Sequence, residues 1–298
     1  MLVKGKAFIV TGGLGAIGKA CVLLLLEKGA IPVVFDQLDE AAAKAVLKEA
    51  GAEAALYVKT DITDVKATEQ ACGVALQRIP KGSLAGGIHC AGIAPGRKWS
   101  HKLVDSAADF EKVFKVNAYG TFAVDACIAD AMNSQYPDDG PFGPRVTEER
   151  GCIVNIASVV AKPVPGRCLT YGPSKSTSAS NALVHPASAD QAAAVLGITE
   201  GMADFLGPFG IRVNSVAPAV VASALMGPDR LPYFQNELET GCIYPRRVSQ
   251  PAELAGGCLF LIENSMMNDH HLRVDGGWRG TTLWSETHDP RAKAISLE

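Results

Sequence analysis

The stretch Lys6-Ala7-Phe8-Ile9-Val10-Thr11-Gly12-Gly13-Leu14-Gly15-Ala16-Ile17-Gly18 runs from a short apolar segment into a glycine-rich turn, and residues 19–28 then read as a strongly apolar helix stopped by Gly29. Strand, glycine turn and helix in that order give meaning to a Gly-x-Gly-x-x-Gly spacing, here Gly13, Gly15 and Gly18. Glycines let a backbone turn tightly and approach a pyrophosphate, whose charge is favoured at a helix N-terminus. The next apolar run, 31–35, ends in Asp36, about 20 residues past the glycines, where an acid can accept from an adenosine ribose 2′-hydroxyl. That carboxylate repels a 2′-phosphate, so NAD(H) is expected over NADP(H). The plainer alternative is a glycine turn with no nucleotide role.

Strand-like and helix-like segments alternate along the rest of the chain. Strands are expected at 7–10, 31–35, 55–59, 87–90, 152–156, 211–216 and 271–274, and helices at 18–28, 39–50, 65–78, 109–132, 192–206 and 251–262. Repeated strand-helix-strand order implies α/β architecture: a single doubly wound Rossmann-type domain, with a parallel seven-stranded sheet and helices on both faces. Excursions are expected at about 133–150 and 176–191, and a polar tail from about 280. Pro32 is tolerable near a strand start and would count against a mid-strand position.

A second motif lies far downstream. Residues 171–175 read Tyr-Gly-Pro-Ser-Lys, and Ser158 follows the apolar run 152–156. A tyrosine and a lysine four apart on a helix share a face. An unperturbed tyrosine, with a pKa of about 10, is a poor base at neutral pH, and an adjacent ammonium favours its phenolate. With a serine hydroxyl nearby, the trio suits moving a proton on or off an alcohol. Alone, the pair also fits an ordinary surface contact. Asn117 recurs at helical spacing with Phe110, Phe114 and Thr121, which predicts that it shares a face with the two aromatics. A buried amide there needs hydrogen-bond partners.

Composition sets outer limits. At 298 residues, 48% hydrophobic and 20% charged, the chain can bury a full core. A net charge of −3 without a basic run gives nucleic acid no footprint. No apolar stretch approaches the roughly 20 residues of a membrane span. The first strand begins close to Met1, so neither a signal nor a transit peptide is expected, and the expected location is cytoplasmic. Eight cysteines without metal-ligand spacing are expected to be reduced, mostly buried thiols.

Over roughly residues 3–280 the chain resembles a short-chain dehydrogenase/reductase. The family's Thr-Gly-x-x-x-(Gly/Ala)-x-Gly signature matches Thr11, Gly12, Ala16 and Gly18, and its adenine-side aspartate falls on Asp61, followed by Ile62. Its Asn-Asn-Ala-Gly turn appears as His89-Cys90-Ala91-Gly92, so Ala91 and Gly92 carry over. The catalytic tetrad maps onto Asn117, Ser158, Tyr171 and Lys175. The family's Pro-Gly-x-x-x-Thr matches in part at Pro218, Ala219 and Ser223, enclosing Val220 and Val221. The resemblance implies NAD as cofactor, held by Gly12, Gly13, Gly15, Ala16, Ile17, Gly18, Asp36, Asp61, Ile62, Ala91, Gly92, Tyr171, Lys175, Pro218, Val220 and Val221. It also implies that Lys175 binds the nicotinamide ribose and acidifies Tyr171, that Tyr171 exchanges the substrate proton, that Ser158 orients the substrate oxygen, and that Asn117 holds a water leading to the lysine. No metal is needed, and His270-His271 is expected in the last strand.

Within the family, Cys90-Ala91-Gly92-Ile93-Ala94, the excursion before the fifth strand, Tyr244-Pro245-Arg246-Arg247-Val248 and Val274-Asp275-Gly276-Gly277 look most like short-chain 3-hydroxyacyl-CoA dehydrogenases, also called type 10 17β-hydroxysteroid dehydrogenases. The implied substrate is a secondary alcohol or its ketone, on an acyl thioester, hydroxysteroid or other bulky apolar molecule. Residues 136–150 are open to a substrate role or to a plain surface loop, and residues 219–248 are expected to cap the substrate. The implied assembly is a homotetramer or homodimer. One departure stands out: 176–191, rich in Ser and Ala and holding His185-Pro186, interrupts the helix expected to continue from Lys175. It is open to reading as a looped-out excursion or as an artefact of the gene model. The same departure supports an alternative in which the protein binds NAD(H) with impaired catalysis.

Overall fold

The computed structural model describes residues 1–94, 102–136, 142–143, 145–161, 170–175, 194–223, 234, 238–239 and 241–278. The expectations for 176–191 and for the tail from about 280 lie outside the described residues. Seven strands form one parallel sheet: β1 (Ala7–Thr11), β2 (Ile31–Asp36), β3 (Leu56–Lys59), β4 (Leu84–His89), β5 (Gly151–Ile156), β6 (Ile211–Pro218) and β7 (His271–Val274), in the spatial order β3-β2-β1-β4-β5-β6-β7. Helices α1 (Ala16–Glu27), α2 (Glu40–Glu49), α3 (Val65–Arg78), α4 (Ala107–Phe114), α5 (Gly120–Asn133), α6 (Gly172–Lys175), α7 (Val195–Leu206) and α8 (Pro251–Glu263) connect them.

Alternation along each strand supplies two cores. Phe8, Val10, Val34, Val154 and Val216 face α1, α2 and α8, while Ala7, Ile9, Val33, Ile153, Ile211 and Val213 face α3, α5 and α7. The chain steps outward from β1 to β3 and then restarts at β4 on the other side of β1. The connections leaving β1 and β4 therefore depart to opposite faces, which opens a crevice at the carboxyl ends of those two strands, where open α/β sheets bind ligands.

Three local features decide how residues meet that crevice. First, β4 begins at Leu84, earlier than the 87–90 expected from hydrophobic runs, because its middle is Ala85-Gly86-Gly87. The register shifts there, with Ala7 opposite Leu84 but Ile9 opposite Gly87. This is a β-bulge, and Gly86 adopts φ +143° within it. A Cβ on Gly86 would lie 1.8 Å from the Cys152 carbonyl oxygen. The bulge resets the alternation so that Ile88 joins the α1/α8 core and His89 falls on the opposite face.

Second, the helix expected over 109–132 is interrupted. A π turn at Lys115–Tyr119 separates α4 from α5 and shifts the helical phase. Val113 and Asn117 are consequently buried together, while Phe110 and Phe114 stack on each other at 4.3 Å, with Phe110 exposed. The expectation that Asn117 shares its face with the aromatics is corrected by this extra residue. Third, Pro32 is tolerated because Ile31 N–H already points to β1, donating to Lys6 O. The imide nitrogen of Pro32 therefore faces β3, whose pairing starts only at Val33.

The excursion before β5 is described at residues 133–136, 142–143 and 145–150. Phe142 packs against Phe205 and Phe209, both with centroids at 5.4 Å, Val146 N–H donates to Pro208 O, and Glu149 pairs with the buried Arg212 at 2.7 Å. These contacts lie at the amino end of β5, opposite the crevice, which corrects a substrate role for this described portion. Among the described residues no helix is long and apolar enough to cross a membrane. Gly86→Ala forces Cβ into the β5 backbone and is expected to destabilise the fold by about 3 kcal/mol or more, measured by urea unfolding; an unchanged midpoint would contradict the bulge geometry.

Candidate active site

The glycine turn lies at the mouth of the crevice. Gly12, at φ +59°, packs so close to β4 that a Cβ would sit 2.8 Å from both Cα and N of Ala91. A Cβ on Gly18 would sit 2.2 Å from Gly12 O, which is why the first turn of α1 can fold back onto the loop. Helix α1 starts after Gly15 with no side-chain cap and no acidic residue in its first turn. Its leading N–H groups and positive dipole end therefore carry no competing carboxylate, and the turn fits a pyrophosphate.

Asp36 ends β2 beside this turn. Its carboxylate accepts from Leu14 N–H at 3.2 Å and Gln37 N–H at 2.8 Å, which ties it to the glycine loop. Asp61 follows β3 and accepts from the N–H and hydroxyl of Thr63, interactions that hold its pKa below the usual carboxylate value. Ile62 turns inward, where its Cδ1 would lie 2.9 Å from a Cβ on Gly120. At the other wall, Pro218 ends β6. Val220 O accepts from Ser249 N–H, and Val221 forms a parallel bridge with Ser249.

The turn after β4 joins the cofactor side to the candidate catalytic side. Ala91 N–H donates to Thr11 Oγ1 at 3.3 Å. Two residues on, the buried Asn117 amide brackets Ile93: its Oδ1 accepts from Ile93 N–H and its Nδ2 donates to Ile93 O, both at 2.8 Å. Asn117 Nδ2 also donates to Ser174 Oγ at 3.1 Å, and Ser174 donates to Tyr171 O at 2.7 Å. The π turn thus grips the segment that carries Tyr171 and Lys175. A Cβ on Gly92 would lie 3.3 Å from Asn117 Oδ1 and 3.6 Å from Lys175 Nζ, so glycine is what lets these three groups converge.

Lys175 is 4% exposed, and its ammonium donates to Ile156 O at 2.8 Å at the carboxyl end of β5. Burial pulls its pKa down to about 8, with Cys90 acting in the opposite direction. Ser158 lies two residues beyond β5, nearly buried, where its Oγ accepts from Val160 N–H at 3.3 Å. Tyr171 is half-buried in the turn immediately before α6, whose first residue is Gly172. The expectation of a shared helix face for Tyr171 and Lys175 is corrected accordingly: one residue precedes the helix and the other ends its described part.

Around β1, β4 and β5 the structure sets Gly12 against Ala91 and gathers Gly92, Asn117 and Lys175, while Asp36 ends β2 and Asp61 follows β3. Three contributors were missed. The Ile93 and Ile156 backbones leave no side-chain signal. Ser174 was readable as a hydroxyl beside the lysine in Gly-Pro-Ser-Lys, and it is fully buried.

Comparison with known proteins agrees with this geometry. A family model described as enoyl-(acyl carrier protein) reductase matches residues 13–279. The bovine (Bos taurus) 3-hydroxyacyl-CoA dehydrogenase type-2 is 31% identical over 283 residues, covering 93% of this chain and 96% of the relative. The crystal structure of 3-hydroxyacyl-CoA dehydrogenase type-2 from Mycobacterium avium superposes with a TM-score of 0.72 at 25% identity, covering 94% of this chain and 98% of that one. A 3-ketoacyl-(acyl-carrier-protein) reductase from Brucella melitensis, crystallised with NADH, shares the fold at a TM-score of 0.71 and 23% identity, covering 92% and 98%. With the family model matching residues 13–279 and the bovine relative 31% identical across 93% of the chain, the chain belongs to the short-chain dehydrogenase/reductase family, oxidoreductases acting on CH–OH groups.

Proposed function

We propose that this protein is an NAD-dependent dehydrogenase that interconverts a secondary alcohol and its ketone, with 3-hydroxyacyl thioesters as the substrate class. The observation that carries the reading is the burial of the Lys175 ammonium beside Asn117 and Gly92, one crevice away from an uncapped glycine turn. A buried cation needs a use or a partner, and the C-terminal edge of β5 gives it one carbonyl. Asp36, seated against the glycine loop, favours a free ribose 2′-hydroxyl and repels a 2′-phosphate.

In this reading Gly12, Gly13, Gly15, Ala16, Ile17 and Gly18 hold the pyrophosphate, Asp61 and Ile62 flank the adenine, and Ala91, Gly92, Pro218, Val220 and Val221 line the path of the dinucleotide. The nicotinamide supplies hydride transfer when bound. Tyr171 takes the proton from the substrate hydroxyl in oxidation and returns it in reduction. Lys175 holds positive charge near that phenol and donates to the nicotinamide ribose, while Ser158 donates to the substrate oxygen as charge develops on it. Asn117 fixes the distance between the β4 turn and α6. The relatives named for 3-hydroxyacyl-CoA support the thioester class, and residues 219–223 and 241–248 sit at the carboxyl end of β6, where a substrate cap belongs.

Oxidation of a 3-hydroxyacyl-CoA series should form NADH, and Tyr171→Phe should lower kcat by about a hundred- to ten-thousand-fold while NADH binding, read by fluorescence, stays within about twofold. Absence of turnover with every chain length removes the thioester class. Asp36→Ser should move the ratio of kcat/KM for NAD against NADP toward NADP by about tenfold or more, since a like charge facing a phosphate is removed; an unchanged ratio contradicts the assignment. Burial holds the folded Lys175 pKa at about 8 against 10.5 for a free lysine, so the folded state binds fewer protons in that window and stability rises with pH across it. The stability difference between wild type and Lys175→Met, from urea unfolding, should therefore shift in favour of wild type between about pH 8 and about pH 10, and a flat difference would show that the lysine is not buried as a cation.

A further inference from the structure

One row of the sheet breaks its own hydrophobic alternation. Thr11, His89, Asn155, Ser215 and His271 are in register across β1, β4, β5, β6 and β7. They occupy the face toward α5 and α7, the same face that Ile9, Ile153 and Val213 make apolar two residues earlier. Thr11, His89, Asn155 and Ser215 are each at most 1% exposed. Buried polar side chains require partners, and most here have them. Thr11 Oγ1 meets His89 Nδ1 at 2.8 Å, Ser215 Oγ meets His271 Nδ1 at 2.7 Å, and His271 Nε2 meets Glu200 on α7 at 3.1 Å.

The middle of the row is different. Asn155 Nδ2 donates both its hydrogens, to Asp125 Oδ2 on α5 at 2.8 Å and to Thr199 Oγ1 on α7 at 3.2 Å. Among the described residues three buried side-chain atoms have no hydrogen-bond partner: His89 Nε2, Asn155 Oδ1 and Asp125 Oδ1. All three belong to one neighbourhood, because His89 is the register partner of Asn155 and Asn155 holds Asp125. Thr11 Oγ1 accepts from Ala91 N–H, and His89 Nδ1 is the acceptor within reach of its buried proton among the described residues; a hydroxyl that donates there leaves the imidazole hydrogen on Nε2. The orphans are therefore one donor and two acceptors.

We infer that His89 Nε2–H, Asn155 Oδ1 and Asp125 Oδ1 form a binding site for one internal water, and that His89 and Asp125 are through it positioning residues for the glycine turn. The inference rests on the reading of that turn as the dinucleotide site. Water matches the set: it accepts from His89 and donates to both oxygens, three bonds, the usual number for a buried water. It also tolerates either state of Asp125. Burial pushes that carboxyl up to about 7, and a protonated Oδ1 would donate to the water instead of accepting from it. Burial and the Lys175 charge hold the His89 pKa down to about 3, which keeps the imidazole neutral with a fixed tautomer. The run Asp125–water–His89–Thr11–Ala91 then links α5 to the backbone contact on which Gly12 rests. On the same helix, Asp125 lies two turns beyond Asn117, with Thr121 between them bonded to Asn117 O.

The test has two arms. In the first, a high-resolution crystal structure and ¹⁵N NMR of His89 in the protein without added nucleotide should show one ordered water within hydrogen-bond distance of the three atoms, and a neutral Nε2–H imidazole that does not titrate between about pH 5 and about pH 9. Direct contact of the Asp125 and Asn155 oxygens, or a hydrogen on Nδ1, overturns the site. In the second, NADH binding and steady-state kinetics are compared for His89→Leu, Asp125→Leu and the double variant. Each single change should raise the Kd for NADH and the KM for NAD by about tenfold, equivalent to losing a hydrogen bond of about 1.4 kcal/mol, with kcat nearly unchanged. The double variant should be no worse than either, because both act through one water. His89→Gln, which keeps a donor and an acceptor, should recover part of the affinity and guards against a variant that fails to fold. Additive losses, or an Asp125→Leu protein that binds NADH normally, would show that the network does not reach the turn. If wild type binds no NADH while the first arm succeeds, the dinucleotide reading fails and the water site stands.

Discussion

The constraint on which the crevice depends is the backbone contact between Gly12 and Ala91. The ends of β1 and β4 come within a distance that no side chain at position 12 could tolerate, and the rest of the crevice is arranged around that approach. It brings the first turn of α1 beside the β4 turn. One or two residues farther, the β4 turn is clasped by Asn117, and Asn117 in turn holds the segment of Tyr171 and Lys175. A glycine contact, an amide bracket and a buried ammonium thus form one mechanical series from the glycine turn to the segment of Tyr171 and Lys175. The first link is backbone against backbone, and the next two join the Asn117 amide and the Lys175 ammonium to the backbones of Ile93 and Ile156.

Much of this was readable in advance, for specific reasons. The β1-turn-α1 unit announces itself because glycine spacing, apolar flanks and an acid at Asp36 are all local signals. Strand β5 carries the apolar run Cys152-Ile153-Val154, and α3 begins and ends where its expected boundaries fell. Strand β4 was placed late because its pairing relies on two glycines and a bulge, which look like a turn when only propensity is considered. The π turn at Lys115–Tyr119 was invisible because one extra residue in a helix leaves no mark on composition, yet it moves Asn117 from the aromatic face to the buried one.

The polar row shows the same limit from another side. His89 stood out only as an altered motif position, and Asp125 falls within the helix expected over 109–132 without a motif to mark it. Their meaning depends on register, which places His89 beside Asn155, and on a tautomer fixed by Thr11. Neither follows from spacing along the chain. Burial of an aspartate and a histidine in one neighbourhood also has a cost, since groups of this kind in low dielectric lose solvation that hydrogen bonds only partly return. Retaining them beneath a cofactor turn makes sense where rigidity of that turn matters more than added stability.

The central claim is that a dinucleotide lies along the Gly12–Ala91 contact with its reactive ring delivered to Tyr171. A crystal structure with NAD and a 3-ketoacyl thioester tests it most directly. The pyrophosphate should rest on the N–H groups at the start of α1, the substrate oxygen should lie within hydrogen-bond distance of both the Tyr171 hydroxyl and Ser158 Oγ, and the Lys175 ammonium should reach the nicotinamide ribose. A dinucleotide bound away from the glycine turn, or a Tyr171 hydroxyl directed away from the substrate oxygen, would contradict it.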